Sequence, residues 1–130
     1  MTDRGVSVSL LRLLPAIVWM ALIFGLSSRQ DFPTPGGISV DIQAVLAHLF
    51  LFGVLAALIW LGLGDPQRQT RRFPLVVIGF VTLYGITDEI HQAFVPGRTS
   101  SLFDVIVDAL AAVLVVVALQ RLRTWRQAGE

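Results

Sequence analysis

Between Tyr84 and Leu110 the chain reads YGITDEIHQAFVPGRTSSLFDVIVDAL, a stretch holding Asp88, Glu89, His91, Arg98, Asp104 and Asp108. A second histidine, His48, stands alone in an apolar run. Carboxylates held close together drive one of their pKa values up, which suits acid–base catalysis. Imidazole with carboxylates is also a donor set for zinc and other divalent ions. A guanidinium offers a planar fork to phosphate or carboxylate. Ser27, Ser100 and Ser101 add hydroxyls, but nothing like G-x-S-x-G frames them, so nucleophilic serine chemistry has little support.

The elements that carry these groups follow from composition. The chain has 130 residues, of which 55% are hydrophobic and only 15% charged, and its mean hydropathy is +0.74. So few charges cannot cover the surface of a soluble domain this small, so the chain belongs in a membrane. Its net charge is +1, with ten arginines and no lysine. That balance lacks the clustered basic face that nucleic acid requires. Cysteine is absent, which excludes disulfides and thiolate chemistry.

Four apolar runs, roughly 10–28, 41–63, 74–95 and 102–121, each approach the about 20 residues a bilayer core demands. The first is too long for a signal-peptide core, lacks an A-x-A-like cleavage site, and is followed by three more spans. RQDFPTPGGIS, GDPQRQTRR and PGRTSS read as short connections. The expected fold is an all-α integral membrane bundle of four transmembrane helices, a single domain over 1–130.

Arginine placement orients it. Arg4, Arg12, Arg68, Arg71, Arg72, Arg121, Arg123 and Arg126 fall on one side, and only Arg29 and Arg98 on the other. The positive-inside rule places both termini in the cytoplasm and the 84–110 stretch at the outer face. Counting helix rise, Asp88 and Asp108 each lie about 9 Å below the outer boundary and His48 about 10 Å below it. Asp88, Glu89, His91 and Gln92 share less than half of one helix circumference. Asp104 and Asp108 stack four residues apart.

Ionised groups cost about 2.5–3.5 kcal/mol each at mid-bilayer on insertion scales, so these faces should turn inward and form an outward-opening polar pocket. Simpler roles suffice for some. Asp41 and Asp104 suit helix caps or dipole partners, Arg98 a hydrated turn, and His91 an interfacial position. Trp60 and Trp125 suit interface anchors, and Trp19 suits packing. His48, Asp88 and Asp108 lie too deep for such roles. The candidate binding set is His48, Asp88, Glu89, His91, Gln92, Arg98, Ser101, Asp104 and Asp108. The catalytic candidates are His48, Asp88, Glu89 and Asp108. For a metal, His48, Asp88, Glu89 and His91 are the candidates, but no HxxxH or HExxH spacing exists, so a divalent ion is the lesser expectation.

TDEIHQAFVPGRTSSLFDVIVDALAA resembles the hairpin of VanZ-like membrane proteins, where a D-E-x-x-Q-x-F-x-P-G-R-x-x-S-x-x-D run joins the last two spans. LAHLFLFGVLAAL is similar to that family's second-span histidine motif, and FGLSSRQDFP to its Ser-Ser ending of the first span. The resemblance runs from about Phe24 to Ala112. It implies roles for Asp88, Glu89, Gln92, Pro96, Gly97, Arg98, Ser101, Asp104 and His48. Asp108 and Ala111 stand where the family commonly has Asn and Gly, and Val45 and Phe52 stand where it often has polar neighbours of the histidine. The resemblance further implies a cell-envelope protein, its name-giving relative being associated with low-level resistance to teicoplanin.

Three functions are thus expected. The leading one is recognition of a lipid or lipid-linked cell-wall group, without nucleic acid and with homo-oligomerisation left open. The second is a membrane enzyme working by Asp/Glu/His acid–base or metal chemistry on such a substrate. The third is a small proton-coupled carrier, disfavoured because four spans give little room for alternating access.

Overall fold

The computed structural model describes residues 6–30, 39–64 and 71–129, and every regular element among them is helical. They are α1 (Val6–Ser27), α2 (Val40–Leu63), α3 (Phe73–Gln92) and α4 (Leu102–Ala128). All four are long and apolar enough to cross a membrane. Most of the α1–α2 and α2–α3 connections, with Arg4 and Arg68, lie outside the described residues.

Local chemistry sets the ends. The Ser39 hydroxyl caps α2 by accepting from the Ile42 amide at 3.4 Å, so Asp41 is a first-turn residue and not the cap. Pro74 sits in the first turn of α3, where its missing N–H costs nothing. That helix stops at Gln92, three residues short of the expected 95. Phe94 and Val95 instead make tight bonds to the carbonyls of His91 and Gln92. The Arg98 amide then closes a turn on Val95, with Pro96 preset in φ and Gly97 at φ +80°, a conformation that favours glycine. At the opposite end of the hairpin, α4 runs seven residues beyond 121. Its last segment, RLRTWRQA, is rich in good helix formers, so the helix outlasts the apolar run.

Helices adjacent in sequence run antiparallel, so α2 and α4 run parallel, with His48 beside Asp108 and Gly53 beside Val115. α2 lies most extensively against α4, α4 against α3, and α1 against α2, while α1 and α4 do not meet among the described residues. Leu55, Ala56, Val77, Val81, Ala112 and Val116 form the centre of a dry core. At Gly62 a side chain would lie 2.8 Å from the Arg12 carbonyl oxygen, so this glycine lets the α1 and α2 backbones approach. Polar tips of aromatics find carbonyls on neighbouring helices: the Trp19 indole donates to Leu51 at 2.8 Å, and the Tyr84 hydroxyl to Met20 at 2.7 Å. Trp60 is buried against Phe73 with ring centroids 4.9 Å apart, so it packs in the interior, whereas Trp125 is exposed. Leu, Ile, Val and Phe side chains cover the outside, as suits contact with lipid tails.

Candidate functional site

Among the described residues, six polar side chains are buried near the end of the bundle where α1 and α3 finish: Ser27, His48, Asp88, Glu89, Gln92 and Asp108. Each of the four helices contributes, and the Pro96–Ser101 turn closes the end. The 3.6-residue period puts positions 85, 88, 89 and 92 of α3 on one buried face. On α4 the same period sets Asp104 one turn above Asp108.

His48 is the hub. Its Nδ1 donates to Asp108 Oδ1 at 2.8 Å, which joins α2 to α4. Its Nε2 lies 4.0 Å from Glu89 Oε1 and 4.0 Å from Asp104 Oδ2. The Phe52 ring stacks parallel to the imidazole at 5.7 Å and seals it from below. Asp108 is fully buried against Gly85, where an added Cβ would come within 2.6 Å of Oδ2. That oxygen has no hydrogen-bond partner among the described residues. Gly85 therefore makes the space that lets a carboxylate enter the α3–α4 interface.

Beside this hub runs a second chain of bonds. The Ser27 hydroxyl donates to Asp88 Oδ1 at 2.5 Å, tying α1 to α3. Gln92 donates to Asp88 Oδ2 at 2.8 Å and more weakly to Glu89 Oε1 at 3.4 Å. Its own carbonyl accepts from Arg98 at 2.8 Å. Glu89 Oε2 accepts the Ser101 amide at 2.6 Å, which fixes the start of α4 to the end of α3. Both carboxylates are thus oriented by at least two neighbours.

Of the sequence candidates, His48, Asp88, Glu89, Gln92, Arg98, Ser101, Asp104 and Asp108 come together. His91 does not. It turns to α1, stacks on Phe24 at 4.2 Å, and pairs its Nε2 with the Ser28 hydroxyl at 2.9 Å. One helix step of 100° from Gln92 is enough to carry it off the pocket face. The Ser27 hydroxyl is engaged in tying α1 to α3 through Asp88, and no histidine bonds it among the described residues, so the serine–histidine pairing of an activated nucleophile is not formed. Gln43, outside the sequence candidates, lines both cavities described next; its signal in the sequence is a lone amide five residues before His48 in an apolar helix.

Two cavities meet at this cluster, sharing Gln43, Ala44, His48, Gln92 and Arg98 as a common wall. One, of about 300 Å³, lies between α1 and α2 and is mostly apolar, with Ile23, Leu26, Ala47, Phe50 and Leu51 around it. Phe50 is 63% exposed, so this cavity reaches the outer surface of the bundle. The other, of about 550 Å³, lies under the α3–α4 turn and is polar, bounded by Gln30, Asp41, Thr99, Ser101 and Asp104.

Such an arrangement can bind, orient and exchange protons, with an apolar groove leading into it. The VanZ/LLP1 family model matches residues 10–123, which takes in all four helices and every residue of the cluster. No curated protein and no solved structure matches the chain. A match across nearly the whole chain decides the assignment: this four-helix membrane protein belongs to the VanZ/LLP1 family.

Proposed function

We propose that the chain binds an amphiphile at the outer face of the membrane, a lipid-linked cell-wall group with its head in the polar cavity and its tail in the apolar one. The carrying observation is the shared wall: an apolar groove open at Phe50 and a polar chamber under the turn meet at His48, Gln92 and Arg98. Arg98 offers a fork to a phosphate or carboxylate. Asp41 and Asp104, which line the polar cavity, accept from hydroxyl or amine donors of a sugar-like head. Outward orientation rests on the arginine imbalance across the spans. The family's association with teicoplanin resistance fits a protein that engages cell-wall precursors, and it belongs to the same proposal.

The test uses the full chain in lipid nanodiscs with a long-chain polyprenyl phosphate, the matching uncharged polyprenol, and phosphatidylglycerol. Polyprenyl phosphate should bind at least about tenfold more tightly than polyprenol, and Arg98→Gln should remove that preference, since a charge-assisted bidentate contact is worth more than about 1.4 kcal/mol. Equal binding of all three lipids sinks the reading. Because the chain has no cysteine, Ser100→Cys in intact cells checks orientation. Protection of that thiol from a membrane-impermeant maleimide would place the site inside.

A second reading is favoured by one observation. Asp108 bonded to His48 Nδ1 orients the ring so that Nε2 faces Glu89 and Asp104, as a general base requires. An enzyme should lose turnover but keep its lipid on Glu89→Gln. A binding protein should lose affinity and function together.

A further inference from the structure

We infer that His48, Glu89 and Asp104 form a site for a divalent transition-metal ion, with zinc the best fit. The three residues come from α2, α3 and α4, and one ligand atom of each lies within 4.8 Å of the others. His48 Nε2 stands 4.0 Å from both Glu89 Oε1 and Asp104 Oδ2, too far for hydrogen bonds. Donors of a tetrahedral zinc site, bonded at about 2.0–2.1 Å, sit about 3.3 Å apart. Shifts of under about an ångström in each side chain close that difference.

Three independent features point to an ion. His48 is more than nine-tenths buried, and its Nε2 faces the two carboxylates without a hydrogen bond to either. Its other nitrogen is held by Asp108, the carboxylate–histidine arrangement that fixes tautomer and ring orientation at metal centres. Charge is the third. Asp88, Glu89, Asp104 and Asp108 face a single imidazole and the Arg98 guanidinium, so four ionised carboxylates leave negative charge in excess even with the ring and the fork both cationic. A divalent ion between Glu89 and Asp104 offsets two of those charges in a region where water is scarce.

The donor set favours zinc or manganese: imidazole nitrogen suits the later transition metals, and a magnesium site would be built from oxygens alone. Three protein ligands leave a fourth position, and the 550 Å³ cavity lies on the side of His48 and Asp104. An ion there has room for water or a ligand oxygen, as in open zinc sites. The set differs from the one ligand type alone offers in the sequence: Asp88 is engaged by Ser27 and Gln92, and His91 by Phe24 and Ser28, whereas Asp104 takes their place.

The inference does not depend on lipid binding, and its test is separate. The full chain, purified in detergent and stripped with a chelator, is titrated with Zn²⁺, Mn²⁺ and Mg²⁺ by calorimetry. One Zn²⁺ per chain is expected, bound more tightly than Mn²⁺, with Mg²⁺ weakest. His48→Ala and Glu89→Gln should each weaken Zn²⁺ by more than about 100-fold, and Asp108→Asn by about 10–100-fold. His91→Ala, on the face turned to Phe24 and Ser28, should change it less than about twofold, which a general loss of structure could not spare. Asp104→Asn, at the partly buried mouth, keeps its shape and serves where a buried variant misfolds; it too should weaken Zn²⁺ by at least about tenfold. Zinc binding that survives His48→Ala and Glu89→Gln, that fails in the parent chain, or that falls as far with His91→Ala as with Glu89→Gln overturns the site.

Discussion

At the end of the bundle where α1 begins and α2 finishes, Leu55, Ala56, Ile59, Val77 and Val116 are buried against one another with no polar side chain among them. At the opposite end, Ser27, His48, Asp88, Glu89, Gln92 and Asp108 are as deeply buried, yet they surround two cavities. Both halves are built on the same four helices, so helix propensity does not separate them. What separates them is how each satisfies its neighbours. In lipid, apolar side chains gain nothing from hiding, and helices associate by close packing and cross-helix hydrogen bonds. Such bonds average only about 0.6 kcal/mol in membrane proteins. A half that keeps six polar groups and open volume is therefore poorly explained by stability. The apolar half holds the bundle together, and its rigidity keeps the polar side chains of the other half in register.

The sharpest way to break this division is Leu55→Ala. Leu55 is fully buried in the apolar half, and deleting it should cost about 2–5 kcal/mol through the cavity left behind. Unfolding in detergent micelles measures that loss. Zinc and polyprenyl phosphate binding should stay within about twofold wherever the variant is folded. A variant that unfolds normally but binds neither ligand would show that the two halves are not separate. Gly85→Ala comes next, because it strikes the seam between them. The new methyl would press on Asp108 Oδ2 and crowd its Cβ and Cγ, costing about 1–3 kcal/mol by overpacking. It should also weaken Zn²⁺ by about tenfold or more by displacing the carboxylate that holds His48.

The division between halves also explains what could be read without coordinates. Four spans were legible because lipid demands long apolar helices, and their number and rough limits agree with α1–α4. Limits slipped where a different force took over. α3 ends at Gln92 because the Pro96–Gly97 turn pulls Phe94 and Val95 into tight bonds, and α4 continues to Ala128 on propensity alone. Helix rise placed His48, Asp88 and Asp108 at one depth, but depth says nothing of which helices are neighbours. Only the packing order reveals that Asp108 takes His48 while Asp88 takes Ser27. The same blindness around the helix axis put His91 with Glu89 and Gln92, where the structure turns it to Phe24.

The smallest expected effect offers a fine control, because it repeats one substitution on one helix. Gly79 lies six residues before Gly85 on α3, and no atom beyond its own helix stands within 4 Å of a Cβ built there. In Gly79→Ala the methyl meets only surroundings that a membrane helix offers readily, and alanine fixes the helical backbone more easily than glycine. The gain should be at most about 1 kcal/mol, read as a slightly higher resistance to unfolding in micelles, with zinc affinity unchanged. Opposite signs at positions 79 and 85 would mean that glycine persists in α3 for the Asp108 contact and not for flexibility. Equal destabilisation at both would assign the glycines a shared backbone role, and the seam at Gly85 would lose its special place.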